Sequence, residues 1–126
     1  MKVDFTIYDV VRKIVDIAAA DPDYKYRDTH DRCVYVEEDA TGQLVGSCIV
    51  GKALVDLGID KEYLRDKRSN TNGIPAAWVI IDDLGLDAGT IAANWVSVVQ
   101  QRQDAGATWG GAVEAADLYY PVRVPA

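Results

Sequence analysis

The sequence predicts an α+β fold, mainly helical, with five or six helices and one small antiparallel β-hairpin in a single domain over residues 1–126. Three observations predict it. Apolar residues recur at the three- and four-residue spacing of a buried helix face in several stretches, the longest being residues 75–113, which hold all three tryptophans. One stretch, CVYVEE at 33–38, alternates clearly at strand spacing, and the turn-forming DATG follows it directly. A chain of 126 residues can bury most of the surface its unfolded form exposes, so one core suffices.

Taken in order, Thr6 followed three residues later by Asp9 reads as a capping box. Ile7, Val10, Val11, Ile14 and Ile17 then share one face, which predicts a helix over 7–20 that stops at Asp21 before Pro22. The polar segment DPDYKYRDTHDR leads into the strand, where Val34 and Val36 alternate with Tyr35 and Glu37, and QLVG returns after the turn. Ile49, Val50, Ala53, Leu54 and Leu57 restore the helical period, with Gly58 as the stop. Asp60 caps a short charged helix, KEYLRDKR; SNTNG is a loop, and Pro75 suits the first turn of the next helix.

In that next helix Trp78, Ile81 and Leu84 recur on one side, which predicts a buried Trp78. In the following one Ile91, Trp95, Val98 and Val99 recur likewise, with Gly85 closing the first helix and Asp87 capping the second. The segments DLGID and DLGLD repeat one corner. Thr108 caps a last helix from about Trp109 to Leu118 with Trp109, Val113 and Ala116 inward, and Pro121 confines any strand in the tail LYYPVRVPA to an edge beside the hairpin.

The composition narrows the function classes. The formal charge is −7: residues 1–40 carry six basic and ten acidic side chains, 41–73 five and four, and 74–126 two and six. That balance disfavours phosphate backbones and anionic lipid and suits a basic protein partner. No apolar run is long enough for a bilayer and the first residues mix acids into the apolar positions, so a cytoplasmic protein with no membrane association is expected. Two cysteines cannot make a disulfide framework, and buried free thiols are expected.

The run QRQDAGATWGGAV, with SCIVGKALVDLGI and the CVYVEE strand, resembles a family of small uncharacterised proteins encoded by actinobacteria and their bacteriophages, over residues 30–117. The residues that carry the resemblance are Gln100, Gln103, Asp104, Gly106, Trp109, Gly110, Ala112 and Val113, with Cys48, Gly51 and Gly58 as a second group. It implies no activity, cofactor or partner. What it does imply is a setting, the cytoplasm of a bacterial host, where many small phage proteins modify host physiology.

Several motifs invite a chemical reading. GSCIVGKA at 46–53 is one residue short of a phosphate-binding loop, but Ala53 stands where the metal-binding hydroxyl belongs and Cys48, Ile49 and Val50 suit a helix packed through Gly51, with Lys52 outward. His30, Cys33 and Cys48, with Asp28 or Asp31, could supply zinc ligands, or a thiolate with its base; only His30 and Cys33 are close in sequence, so no metal, cofactor or catalytic residue is expected. The two LG(I/L)D corners suggest a helix-turn-helix. The second recognition helix lacks a basic residue, however, and the first offsets Lys61, Arg65, Lys67 and Arg68 with Glu62 and Asp66. Asp82 with Asp83 and Glu37 with Glu38 are adjacent pairs whose side chains diverge. Asp104 is expected to hold the loop that follows it, with Trp109 covering the corner.

A non-enzymatic interaction protein is therefore the expected function, with an unidentified protein partner. Tyr24, Tyr26 and Tyr35, interleaved with acids such as Asp23 and Asp28, are the expected contact residues, because aromatic rings among acids suit a basic partner surface; the alternative is that these tyrosines cover the hairpin.

Overall fold

The computed structural model describes residues 3–26, 34–69, 77–87 and 90–122, and in these it shows six helices and a two-stranded antiparallel sheet. The helices are α1 (Ile7–Ala20), α2 (Ile49–Asp56), α3 (Lys61–Ser69), α4 (Ala77–Asp83), α5 (Ile91–Asp104) and α6 (Trp109–Tyr119); the strands are β1 (Val36–Glu38) and β2 (Leu44–Gly46).

The predicted capping box opens α1. Asp9 N–H donates to the Thr6 hydroxyl at 3.3 Å, and Thr6 N–H donates to the Asp9 carboxylate at 2.8 Å. Ile7, Val10, Val11, Ile14 and Ala18 form its buried face, and Asp21 ends the helix. β1 and β2 pair in the register Val36–Gly46, Glu37–Val45 and Glu38–Leu44. Their turn is tied by Asp39, whose carboxylate accepts from the Thr41 hydroxyl and from the Thr41 and Gln43 N–H groups. These bonds, that to the Thr41 hydroxyl first, hold the Asp39 carboxyl below the usual aspartate range. The expected alternation before the hairpin is absent: Val34, Tyr35 and Val36 are all buried, because this segment lies between α2 and the rest of the core and has no solvent side.

Three helices end on the same device. After α2, α4 and α5, Gly58, Gly85 and Gly106 take positive φ (99°, 76° and 99°), and paired backbone bonds close the last turn. Gly58 N–H donates to Val55 O and Ile59 N–H to Leu54 O. The same pair recurs as Gly85 to Asp82 with Leu86 to Ile81, and as Gly106 to Gln103 with Ala107 to Arg102. The corner echoed in the sequence at DLGI and DLGL is thus used a third time at DAGA.

α5 is the central helix and packs against α6, α4, α1 and α2, while α2 lies on α1 and β2. Two expectations about the α4–α5 region are overturned. Trp78 is 55% exposed and Ile91 59% exposed, because the faces that enter the core are Ala77, Ile80, Ile81 and Leu84 on one side and Ala92, Trp95, Val96 and Val99 on the other. Both correct faces keep helical spacing but are rotated from the expected ones, since small alanines supply the contact where tryptophan and isoleucine were expected. The cap of α5 is Thr90 and not the expected Asp87: the Thr90 hydroxyl accepts from Ala93 N–H and donates to the backbone carbonyl of Asp87, which lies three residues before the cap. α6 begins at the Thr108 cap as expected, with Trp109, Ala112 and Ala116 buried and Val113 only partly so. The expected edge strand in the tail is not formed through residue 122; Leu118 and Tyr119 remain helical.

Candidate functional site

Two buried glutamines on α5, one turn apart, tie the starts of two other helices to it. The Gln103 side chain is fully buried. Its Oε1 accepts from the Ile49 backbone N–H at 2.8 Å and from the Trp109 indole N–H at 3.1 Å, while its Nε2 donates to Asp104 at 3.0 Å. The Gln100 Oε1 accepts from Ala77 N–H at 2.6 Å, and its Nε2 donates to the Tyr35 hydroxyl at 2.7 Å. Each amide therefore satisfies an N–H at the start of a different helix, α2 or α4, from outside that helix. An amide suits the task because it accepts and donates at once without burying a charge. Asp104 does not hold the following loop, as expected, but orients Gln103, and the indole of Trp109 closes the other side.

The loop after α1 meets α6 in the same way. Backbone N–H groups of Trp109 and Gly110 donate to the carbonyls of Tyr24 (2.9 Å) and Pro22 (2.8 Å), and the Tyr24 ring lies 4.4 Å from the Trp109 ring at 51°. A side chain at 110 would come within 3.0 Å of the Pro22 carbonyl, which accounts for glycine there. Tyr26 is fully buried, its hydroxyl accepting from Val34 N–H at 2.8 Å and bonding the Ser47 hydroxyl at 3.0 Å.

Gln103, Asp104 and Trp109 thus meet, with Gly106 as the corner beside them and Gly110 against the Pro22 carbonyl, while Gln100 makes a separate link to Ala77 and Tyr35; what these residues do is join elements of the fold. The expected contact surface is placed differently. Tyr26 and Tyr35 are fully buried because their hydroxyls are needed by the hairpin segment and by Gln100, so neither ring is presented to a partner; Tyr24 is half-buried against Trp109, Asp23 is exposed, and Asp28 lies outside the described residues.

In GSCIVGKA, a Cβ on Gly51 would lie 1.9 Å from the Tyr35 carbonyl oxygen, so this glycine brings α2 onto the backbone before β1. Cys48 is the buried N-cap of α2, its sulfur accepting from Gly51 N–H at 3.3 Å. His30, Cys33 and Asp31 lie outside the described residues, and among the described ones no cluster of His, Cys, Asp and Glu could hold a metal ion. On α3 the Arg65 guanidinium pairs with Glu62. No described helix is long and apolar enough to cross a membrane.

What remains open to solvent is a set of clefts and apolar side chains. A cleft of about 520 Å³ at the end of α1 is walled by Asp21, Lys52, Asp56 and Lys61 over Val45 and Trp109, and one of about 720 Å³ lies between the hairpin and α3. Trp78, Ile91, Leu118 (80% exposed) and Tyr119 stand out from α4, α5 and α6. In comparisons with protein-family models, with curated proteins and with solved structures, nothing matches this chain.

Proposed function

We propose that this chain is a small acidic protein that acts by binding another protein in the cytoplasm of a bacterial host, and that its gene belongs to a phage or to its actinobacterial host. The observation that carries the reading is the exposure of Trp78, together with Leu118 and Tyr119, on a chain of net charge −7. Burying a large apolar side chain is worth roughly 1.5–3 kcal/mol, so rings left in water are the ones with most to gain from a partner. Tryptophan and tyrosine also lead the residues that dominate interface energies. The contact surface is thereby moved from Tyr26 and Tyr35, which packing uses, to the outer helices. The acidic surface speeds encounter with a basic surface and slows encounter with nucleic acid or anionic lipid.

Affinity capture from an actinobacterial lysate tests this. The tagged chain should retain a protein in stoichiometric amount, and the triple variant Trp78→Ala, Leu118→Ala, Tyr119→Ala, with an unchanged melting temperature, should lose it. An identical retained set for both chains would overturn the reading.

A further inference from the structure

Resting on that reading, we infer that the outer side of α4 is the docking surface, and that its partner is a basic protein with an apolar slot for the Trp78 ring and an Arg or Lys beside it for Asp82. Trp78 and Asp82 are four residues apart, so they lie one above the other on the same side of α4. The opposite side, Ala77, Ile80, Ile81 and Leu84, is sealed into the core, so α4 cannot turn Trp78 inward without bringing these four out. The ring is held outward by register.

Charge selects the occupant. Asp82 is exposed, and its carboxylate has no hydrogen bond or ion pair among the described residues; α4 contains no basic side chain. Residues 74–126 hold two basic side chains against six acidic ones, and Arg102 is already engaged with the Tyr119 hydroxyl (3.4 Å) and ring (5.6 Å). A second copy would bring the same acidic face and the same net charge of −7 against itself. Nucleic acid and anionic lipid would meet a carboxylate next to the anchor. A basic protein gains from both groups, the ring supplying most of the affinity and the carboxylate the rate and register of encounter.

The test places the photo-crosslinker p-benzoylphenylalanine at position 78 of the full chain in an actinobacterial host, with a control at exposed Asp16, and reads the cross-linked peptide by mass spectrometry. The expected peptide comes from one protein and carries Arg or Lys beside apolar residues. Binding of that purified protein, measured by calorimetry, should weaken about 30-fold or more in Trp78→Ala, as hot-spot truncations do. It should weaken about tenfold in Asp82→Lys and fall with added salt. Asp82→Lys changes an exposed side chain and so serves as an independent arm should Trp78→Ala unfold. A cross-link into a second copy or into an acidic peptide, no yield above the control at 16, or unchanged binding by Asp82→Lys would each overturn the assignment. Binding lost only on changing Leu118 and Tyr119 would remove α4 as the surface and leave the interaction reading standing; no bound protein at all would remove both.

Discussion

At position 103 an amide does what neither a carboxylate nor a leucine could do in the same space: it accepts two hydrogen bonds, from the Ile49 N–H and the Trp109 indole, and donates a third to Asp104, all without burying a charge. Replacing Gln103 with Leu keeps the volume but leaves two buried donors with no acceptor. Each such orphan costs about 1–3 kcal/mol, so Gln103→Leu should lower stability by roughly 2–6 kcal/mol, which thermal unfolding would register as a fall in Tm on the order of 10 °C. A change of less than a degree would show that water or rearrangement fills the site. The sequence marked Gln100, Gln103 and Trp109 as distinctive, but not as partners. The Ile49–Gln103 bond spans 54 residues, and periodicity reports which face a residue takes and not what it meets.

Helices in this chain meet through glycines of two kinds, and the difference is measurable. Gly106 has φ of 99° and open space around its Cα, so Gly106→Ala meets only the left-handed backbone penalty of about 1–2 kcal/mol. Gly51 sits in a regular helix, but a methyl there would strike the Tyr35 carbonyl oxygen at 1.9 Å and the carbonyl carbon at 2.6 Å, both backbone, so α2 as a whole must lift off the segment before β1. Urea denaturation should therefore rank Gly51→Ala as the more damaging change, at about 3 kcal/mol or more; equal midpoints for the two variants would contradict this packing. The corners at Gly58 and Gly85 were legible because each follows an apolar helical run and the two share DLG(I/L)D; the corner at Gly106 was not, because the polar run QQRQDA precedes it. The role of Gly51 was only partly legible: close packing was readable from a glycine inside a helix, the identity of the carbonyl against it was not.

For the molecule as a whole, the three tryptophans report separate environments: Trp95 and Trp109 are 1% and 3% exposed, Trp78 more than half. Acrylamide should quench a red-shifted component of the native emission that Trp78→Phe removes, while Trp95→Phe and Trp109→Phe leave it in place; uniform protection of all three would contradict the orientation of α4 on which the docking proposal rests. The sequence by itself determined the class of fold, the limits and capping box of α1, the hairpin, the start of α6 at Thr108 and the corners at Gly58 and Gly85, because each depends on residues within a turn or two of one another. Only the tertiary structure decided which side of α4 faces inward, whether Tyr26 and Tyr35 are surface or core, and which groups satisfy the first amides of α2 and α4. Those outcomes depend on the shape of the facing surface. Ala77, Ala92 and Ala93 are buried where α4 and α5 pack together, and the Trp78 ring stays in solvent.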